Sequence, residues 1–314
     1  MKNATLRQLK VFETVARHLS YSRAALELHL TQPAVSTQVK TLESHVGLSL
    51  FEQLGKKIYL TPGGTELLHF SRTIIQQFHD AEQALMQYKG ISGGKLNVAV
   101  ISAGDYFFPR LLVEFVRRNP GVHLNLTTHN REELLTELAG NNTDLAVMVR
   151  PPKDHDTLNQ SFAPHPYVIV APPDHPLVGQ SNISMEMLKR EAFVVRERGS
   201  DTWHSMEDGF GEHLKDIKIS MEIKSIETIK QAVIAGMGLG FLSTHTISLE
   251  LNAGSLVILD VEHFPVMLDW YVVHRKNKRL PPVALAFKNF LLEDGASLLK
   301  KFIPFDGKPL PRAK

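Results

Sequence analysis

Five side chains on one short stretch are of the types that suit the edges of nucleic-acid bases: Gln32, Pro33, Ser36, Thr37 and Lys40. A glutamine can pair bidentately with adenine. A lysine reaches guanine or a phosphate, and a proline ring packs on a thymine methyl. Around them lie Thr41 and Ser44, and the face holds no carboxylate and no large apolar group. The other face carries Val35, Val39, Leu42 and Val46. Their spacing of i, i+4, i+7 and i+11 predicts an amphipathic helix with one buried stripe. Thr31 is placed as its N-cap, and Pro33 is tolerated in the first turn. Arg23 opens the preceding helix, and Lys56 and Lys57 tip the hairpin that follows. These three suit phosphate contact rather than base contact.

A second set of polar residues lies farther along the chain. In open α/β sheets, ligands collect at the carboxyl ends of strands. Such ends are Ser102-Ala103-Gly104, Thr128-His129-Asn130 and Arg150. Ser200-Asp201-Thr202 opens a further helix, whose first N–H groups suit an anion. Arg196 and Arg198 lie just before it. The candidates for ligand contact are therefore Ser102, Ala103, Thr128, His129, Arg150 and Thr202. Hydroxyls and arginines meeting in one cleft would suit a phosphorylated or carboxylated metabolite. Each residue also has a plainer reading, the hydroxyls as caps and the arginines as surface charges.

These groups need elements to hold them. Thr5-Leu6-Arg7-Gln8 fits a capping box, opening a helix with Leu6, Leu9, Phe12, Val15, Ala16 and Leu19 inward. Ser20–Gly47 then reads as two short helices around a tight turn. Gln53–Leu60 reads as a hairpin turning at Gly55-Lys56. Thr61-Pro62 starts a long helix whose apolar stripe is Leu67, Phe70, Ile74, Phe78, Ala81 and Leu85. A stripe this apolar calls for a partner, and a second copy of the chain fits paired half-sites. Gly90-Ile91-Ser92-Gly93-Gly94 breaks the helix and marks a hinge.

Beyond the hinge, strands alternate with single helices. This texture predicts a parallel sheet wrapped by crossovers, in two sub-domains with a cleft between them. The last helix is expected over Pro282–Leu292, with a proline-containing tail after it. Gly236-Met237-Gly238-Leu239-Gly240 lacks the G-x-G-x-x-G spacing and follows a helix, the reverse of the dinucleotide-binding order. It reads as a helix stop and a tight entry into a strand.

Composition narrows the class. The chain has 314 residues, 43% of them hydrophobic, and no cysteine. Disulfides, cysteine-ligated zinc and thiol nucleophiles are excluded. The fifteen histidines are scattered and suggest no metal site. No apolar run reaches the length of a membrane span. No signal peptide is visible, so a cytoplasmic protein is expected. The net charge of +2 is unevenly placed: residues 1–60 carry +4, from eight Lys and Arg against Glu13, Glu27, Glu43 and Glu52. The basic excess falls where the groove-reading helix lies. No G-x-S-x-G, P-loop or HExxH is present, so no catalytic residue and no cofactor is expected.

The N-terminal residues resemble the LysR-type transcriptional regulators. The shared pattern is Leu6-Arg7-Gln8-Leu9 with Phe12, Ser20–Leu30, Thr31-Gln32-Pro33-Ala34-Val35-Ser36 and Leu42-Glu43. It continues through Gly47-Leu48-Ser49-Leu50-Phe51 to Leu60-Thr61-Pro62-Gly63-Gly64. Within the family the segments LRQLKVFETVARHLSYSRAALELHLTQPAVSTQVK and FEQLGKKIYLT are most similar to the CbbR type, which controls carbon-fixation (RuBisCO) operons.

The resemblance implies an α/β multidomain protein. A winged helix-turn-helix over 1–60 would be followed by a dimerising linker helix over 61–89 and a hinge over 90–94. A periplasmic-binding-protein-like effector domain over 95–300 would divide into sub-domain I (95–163 and 265–300) and sub-domain II (164–264), with 301–314 as a tail. It implies double-stranded DNA, a small-molecule effector, a homodimer or homotetramer and RNA polymerase as partners, and no membrane. Many members carry arginine at the position of Thr37, which cannot grip guanine as arginine does. Two other classes fit the chain less well. An enzyme with an appended DNA-binding domain would need a nucleophile–base pair that the chain lacks. A periplasmic solute-binding protein would not carry the first ninety residues. A LysR-type regulator of another pathway also remains open.

Overall fold

The structure, a computed structural model, describes residues 3–55, 57–88, 93–153 and 156–303. They divide into two compact units, the first reaching Ile91 and counting Ala139–Asn142 with it, the second holding the rest. Lys56, Lys89 at the end of the expected linker helix and residues 90–92 of the expected hinge lie outside the described residues, as does the tail from 304 onward.

The first unit contains α1 (Leu6–His18), α2 (Tyr21–Glu27), α3 (Gln32–Val46), β1 (Phe51–Leu54), β2 (Lys57–Leu60) and α4 (Pro62–Tyr88). The capping box forms as expected. The Gln8 backbone N–H donates to Thr5 Oγ1 at 3.2 Å, and the Thr5 N–H donates to Gln8 Oε1 at 3.0 Å. Ser20 caps α2 and Thr31 caps α3. The inner faces of α1, α2 and α3 meet at Val11, Val15, Ala24, Ala25, Val35 and Val39. Val35, Val39 and Leu42 are fully buried. Each contributes roughly 1.5–3 kcal/mol of burial, which fixes which face of α3 remains outside. The Glu43 carboxylate accepts from the Leu50 N–H at 2.8 Å and the Phe51 N–H at 3.3 Å, locking α3 to the start of the hairpin. β1 and β2 pair antiparallel with Leu54 opposite Lys57. On α4, Leu67 packs into the core beside Leu9, Phe12, Leu42 and Leu50. Phe70, Ile74, Phe78 and Leu85 stay exposed within this single chain.

The second unit runs β3 (Gly94–Ile101), α5 (Phe108–Arg118), β4 (Val122–His129), α6 (Arg131–Ala139), β5 (Leu145–Met148) and β6 (Thr157–Ala171). It continues with α7 (Met185–Leu188), β7 (Ala192–Arg196), α8 (Asp201–Phe210), β8 (Lys218–Ile223), α9 (Ile226–Ile234) and β9 (Leu239–Ser243). α10 (Ser248–Ala253), β10 (Val257–Ile258), β11 (Val266–Arg275) and α11 (Pro282–Phe302) complete it. The nine strands form one sheet in the order β4-β3-β5-β11-β6-β9-β7-β8, with β10 also paired to β6.

The sheet is mixed, which corrects the expectation of a parallel one. β3, β4 and β5 are mutually parallel, and so are β7, β8 and β9. β11 runs antiparallel to β5 and β6, and β6 runs antiparallel to β9. The reason is β6 itself. The sequence suggests a strand only at Tyr167–Ala171, but β6 has 15 residues. Its first part pairs with β11 and its last part with β9. One strand thus crosses from one half of the sheet to the other. At the crossing, Trp270 Nε1 donates to His245 Nδ1 at 3.1 Å, and His165 Nδ1 lies 3.0 Å from the same atom. Burial pushes both imidazoles down, His245 to about 4.

The last helix also differs. It was expected to end at Leu292 and runs to Phe302. Gly295 lies where α11 meets the Phe162 ring. A Cβ there would sit 2.7 Å from the ring, so the glycine serves close packing inside a helix. The Gly236–Gly240 stretch behaves as read: Gly236 terminates α9 at φ +82° and Leu239 begins β9.

Candidate functional site

The outer face of α3 presents Gln32, Pro33, Thr37 and Lys40 to solvent, with Ser36 half-buried at its margin. Arg23 on α2 and Lys57 on β2 are exposed as well. Thr37 Oγ1 donates to the Pro33 carbonyl at 2.9 Å, and Thr41 Oγ1 donates to the Thr37 carbonyl at 2.8 Å. The donor of each hydroxyl is therefore spent on the helix. What Thr37 offers outward is an acceptor and a methyl group. Glu27, the one acid of α2, is engaged by Arg17 and by His18 Nε2 at 2.6 Å. Those hydrogen bonds, Arg17's first, hold its carboxyl down at about 2. Uncommitted positive charge thus remains with Arg23, Lys40 and Lys57, the arrangement a polyanion needs.

In the second unit a cleft of about 300 Å³, counting space open to solvent, lies beyond the carboxyl ends of β3 and β7. From the β3 side come Ile101, Ser102 and Ala103, with Asn130 and Arg131 at the start of α6. From the β7 side come Arg196 and the α8 opening, Ser200, Asp201 and Thr202. Tyr167 of β6 lies between the two sides. The first turn of α8 leaves N–H groups without intrahelical partners, and the helix dipole favours negative charge there.

Most of the polar groups are already committed. Ser200 caps α8, accepting from the Trp203 N–H at 3.1 Å. Asn130 Oδ1 accepts from the Glu133 N–H at 2.9 Å and caps α6. Arg196 is paired bidentately with its neighbour Glu197, at 2.7 and 2.9 Å. Arg131 reaches across the cleft, its Nε 3.4 Å from Asp201 Oδ1. Two buried groups differ from these in their hydrogen bonding. Both Asp201 oxygens are buried with no hydrogen-bond partner, and the buried Tyr167 hydroxyl has Thr202 and Ser205 beside it. Burial pushes the Asp201 carboxyl up to about 6 against the pull of Arg131, Arg150, His204 and Arg196. Burial also pushes the Tyr167 phenol up to about 12.

Residues 6–65 match the bacterial regulatory helix-turn-helix protein, lysR family, and residues 89–296 match the LysR substrate binding domain. The chain belongs to the LysR family. It is a LysR-type DNA-binding transcriptional regulator with a helix-turn-helix domain and an effector-binding α/β domain. It is 48% identical over 296 residues to a RuBisCO operon transcriptional regulator of Allochromatium vinosum, covering 94% of this chain and 98% of that one. It is 48% identical over 286 residues to the HTH-type transcriptional regulator CbbR of Rhodospirillum rubrum, covering 91% and 95%. The regulatory domain of CcmR from Synechocystis PCC6803, solved in complex with 2-PG, is 38% identical. It superposes with a TM-score of 0.60, covering 64% of this chain and 96% of that one.

Not all six ligand candidates of this LysR chain meet. Ser102, Ala103 and Thr202 line the cleft, whereas Thr128, His129 and Arg150 do not. Thr128 is exposed and donates to Asp105 Oδ1 at 2.6 Å. His129 lies 3.9 Å from Glu133. Arg150 is turned onto α8, where it binds Asp208 and approaches Ser205 Oγ at 3.5 Å. Strand ends located the cleft but could not show which way each side chain turns. Arg131, Tyr167 and Asp201 were not singled out as ligand contacts. Arg131 begins a helix directly after a strand end, a signal that was available. Tyr167 lies within a strand and is brought to the cleft only by the crossing of β6.

Among the described residues, no group of three or more His, Asp or Glu side chains is placed to hold a metal ion. No described helix is long and apolar enough to cross a membrane.

Proposed function

We propose that this LysR-type regulator controls carbon-fixation genes from the cytoplasm, in response to a small anionic metabolite bound in the cleft of its second unit. The observation that carries the reading is the near full-length likeness to RuBisCO operon regulators, at 48% identity over 94% of the chain. The cleft supports the ligand class: Arg131, Arg196 and the opening of α8 surround a space suited to a phosphorylated or carboxylated molecule. Gln32, Pro33, Ser36, Thr37 and Lys40 read the major groove, while Arg23, Lys56 and Lys57 hold phosphates. Ser102, Ala103 and Thr202 contact the effector directly. Thr128, His129 and Arg150 support the cleft walls.

The exposed stripe of α4, with Phe70, Ile74, Phe78 and Leu85, pairs with a second copy, and two such dimers form a tetramer on DNA. Residues 95–163 with 265–300 move relative to 164–264 when the effector binds, and this shifts the bend imposed on DNA. RNA polymerase is the further partner. The test is a gel shift of a RuBisCO-operon promoter fragment, with ribulose bisphosphate, phosphoenolpyruvate and nicotinamide dinucleotide phosphates added singly. The promoter shifts specifically, and at least one phosphorylated metabolite alters the shift. The double variant Gln32→Ala, Lys40→Ala abolishes it with folding intact. Retained sequence-specific binding by that variant would sink the assignment of the reading face.

A further inference from the structure

The Asp201 carboxylate is ion-paired with Arg131 but accepts no hydrogen bond within the chain. Its side chain is 6% exposed, and neither oxygen has a hydrogen-bond partner. Arg131 Nε, at 3.4 Å, is farther than a charge-assisted hydrogen bond. Asp201 lines the cleft with Ser102 and Thr202, and both its carboxylate oxygens are buried at the cleft wall. A buried ion without hydrogen bonds is expensive, so stability does not account for an acid here.

We propose that Asp201 is a specificity-determining residue: it admits an oxoanion that brings a hydrogen-bond donor to face it, as a hydroxylated phosphate ester does, and rejects a donor-free anion such as sulfate. This rests on the reading of the cleft as an anion site. A fully deprotonated oxoanion held by Arg131 would meet the Asp201 carboxylate through a poorly screened space and be repelled. An oxoanion with a P–OH, or with a neighbouring hydroxyl, donates to a free Asp201 oxygen instead. The contact then becomes a charge-assisted hydrogen bond. The charged and titratable groups facing Asp201 are Arg131 from α6, Arg150 after β5, Tyr167 from β6, Arg196 from β7 and His204 from α8. The raised Asp201 pKa of about 6 adds a second condition. In acid the carboxyl is protonated, donates a hydrogen bond itself, and accepts sulfate.

Calorimetric titration of the full chain tests this with inorganic phosphate, glycerol 3-phosphate and sulfate at pH 7.5, and with sulfate again at pH 5. The wild type binds both phosphates at least tenfold more tightly than sulfate at pH 7.5, and its sulfate affinity rises at pH 5. Asp201→Asn brings sulfate within about threefold of phosphate. Equal binding of phosphate and sulfate by the wild type at pH 7.5 overturns the proposal. If Arg131→Ala abolishes that equal binding, the anion cleft stands without it. Failure of all three anions to bind either wild type or Asp201→Asn overturns both. Should Asp201→Asn misfold, the wild-type ratio and its change at pH 5 still decide.

Discussion

The Thr37 hydroxyl points back along its own helix, to the carbonyl of Pro33 at 2.9 Å. A residue on the reading face therefore meets DNA with a methyl and an acceptor only. Thr37→Val keeps the methyl and the helix, and is expected to change DNA affinity by no more than about threefold, since a bidentate base contact is absent. Lys57→Ala instead weakens binding alike on specific and unrelated sequences and lowers the salt slope by about one, as loss of a phosphate contact does. Fluorescence anisotropy over a salt series separates the two. A hundredfold loss in Thr37→Val would show that Thr37 reads a base directly.

The junction of α1 and α2 depends on an ionised Glu27. Its carboxyl sits at about 2 in the fold, below the ordinary 4.5, because Arg17 and then His18 hydrogen-bond to it. A depressed acid contributes stability that is present above pH 4.5 and is lost as pH falls toward 2. The side chain is 45% exposed, so the contribution is small. Glu27→Gln lowers the melting temperature of the first unit at pH 7, and the difference from wild type closes below pH 3. A constant difference across that range would assign the loss to packing.

Asp201 works in the opposite sense. Its folded pKa of about 6 lies above the ordinary 3.8, so folding takes up a proton. The group favours the fold increasingly as pH falls from about 6 to 4. Above pH 6 it costs on the order of 2 to 3 kcal/mol. Asp201→Asn is therefore more stable than wild type at pH 7.5, with the gain shrinking to nothing near pH 4. Urea unfolding at a series of pH values reads this directly.

Gly295→Ala places a methyl 2.7 Å from the Phe162 ring. Alanine favours a helix, but the overpacking costs about 1 to 3 kcal/mol. The second unit is expected to melt several degrees lower. A stabilised variant would mean that α11 shifts without cost.

The first unit is legible because its signals are local. Thr5 and Gln8, Ser20, and Thr31 mark helix starts by side-chain chemistry that acts within three residues. The valine stripe of α3 then decides which side chains face outward. The second unit is legible only in part. Individual strands follow from their apolar runs, but the direction of β11 depends on pairing with β6, far away in sequence. Leu158, Gln160 and Ser161 do not look like a strand by themselves and become one through β11. The cleft was found from strand ends, while the turning away of Thr128 and Arg150 depends on Asp105 and Asp208, which no local pattern connects to them.

The crossing of β6 has a topological consequence. The chain leaves β11 near Tyr167 and returns to it near Val266, and these two residues are paired neighbours. Everything between is an excursion that departs and returns at points one strand-spacing apart. Such an arrangement has the form of an insertion. A hairpin closing Tyr167 onto Val266 would bridge the gap with a short turn, so the excursion could be exchanged for that of a relative as one continuous segment, with a single pair of splice points and no rethreading of the sheet.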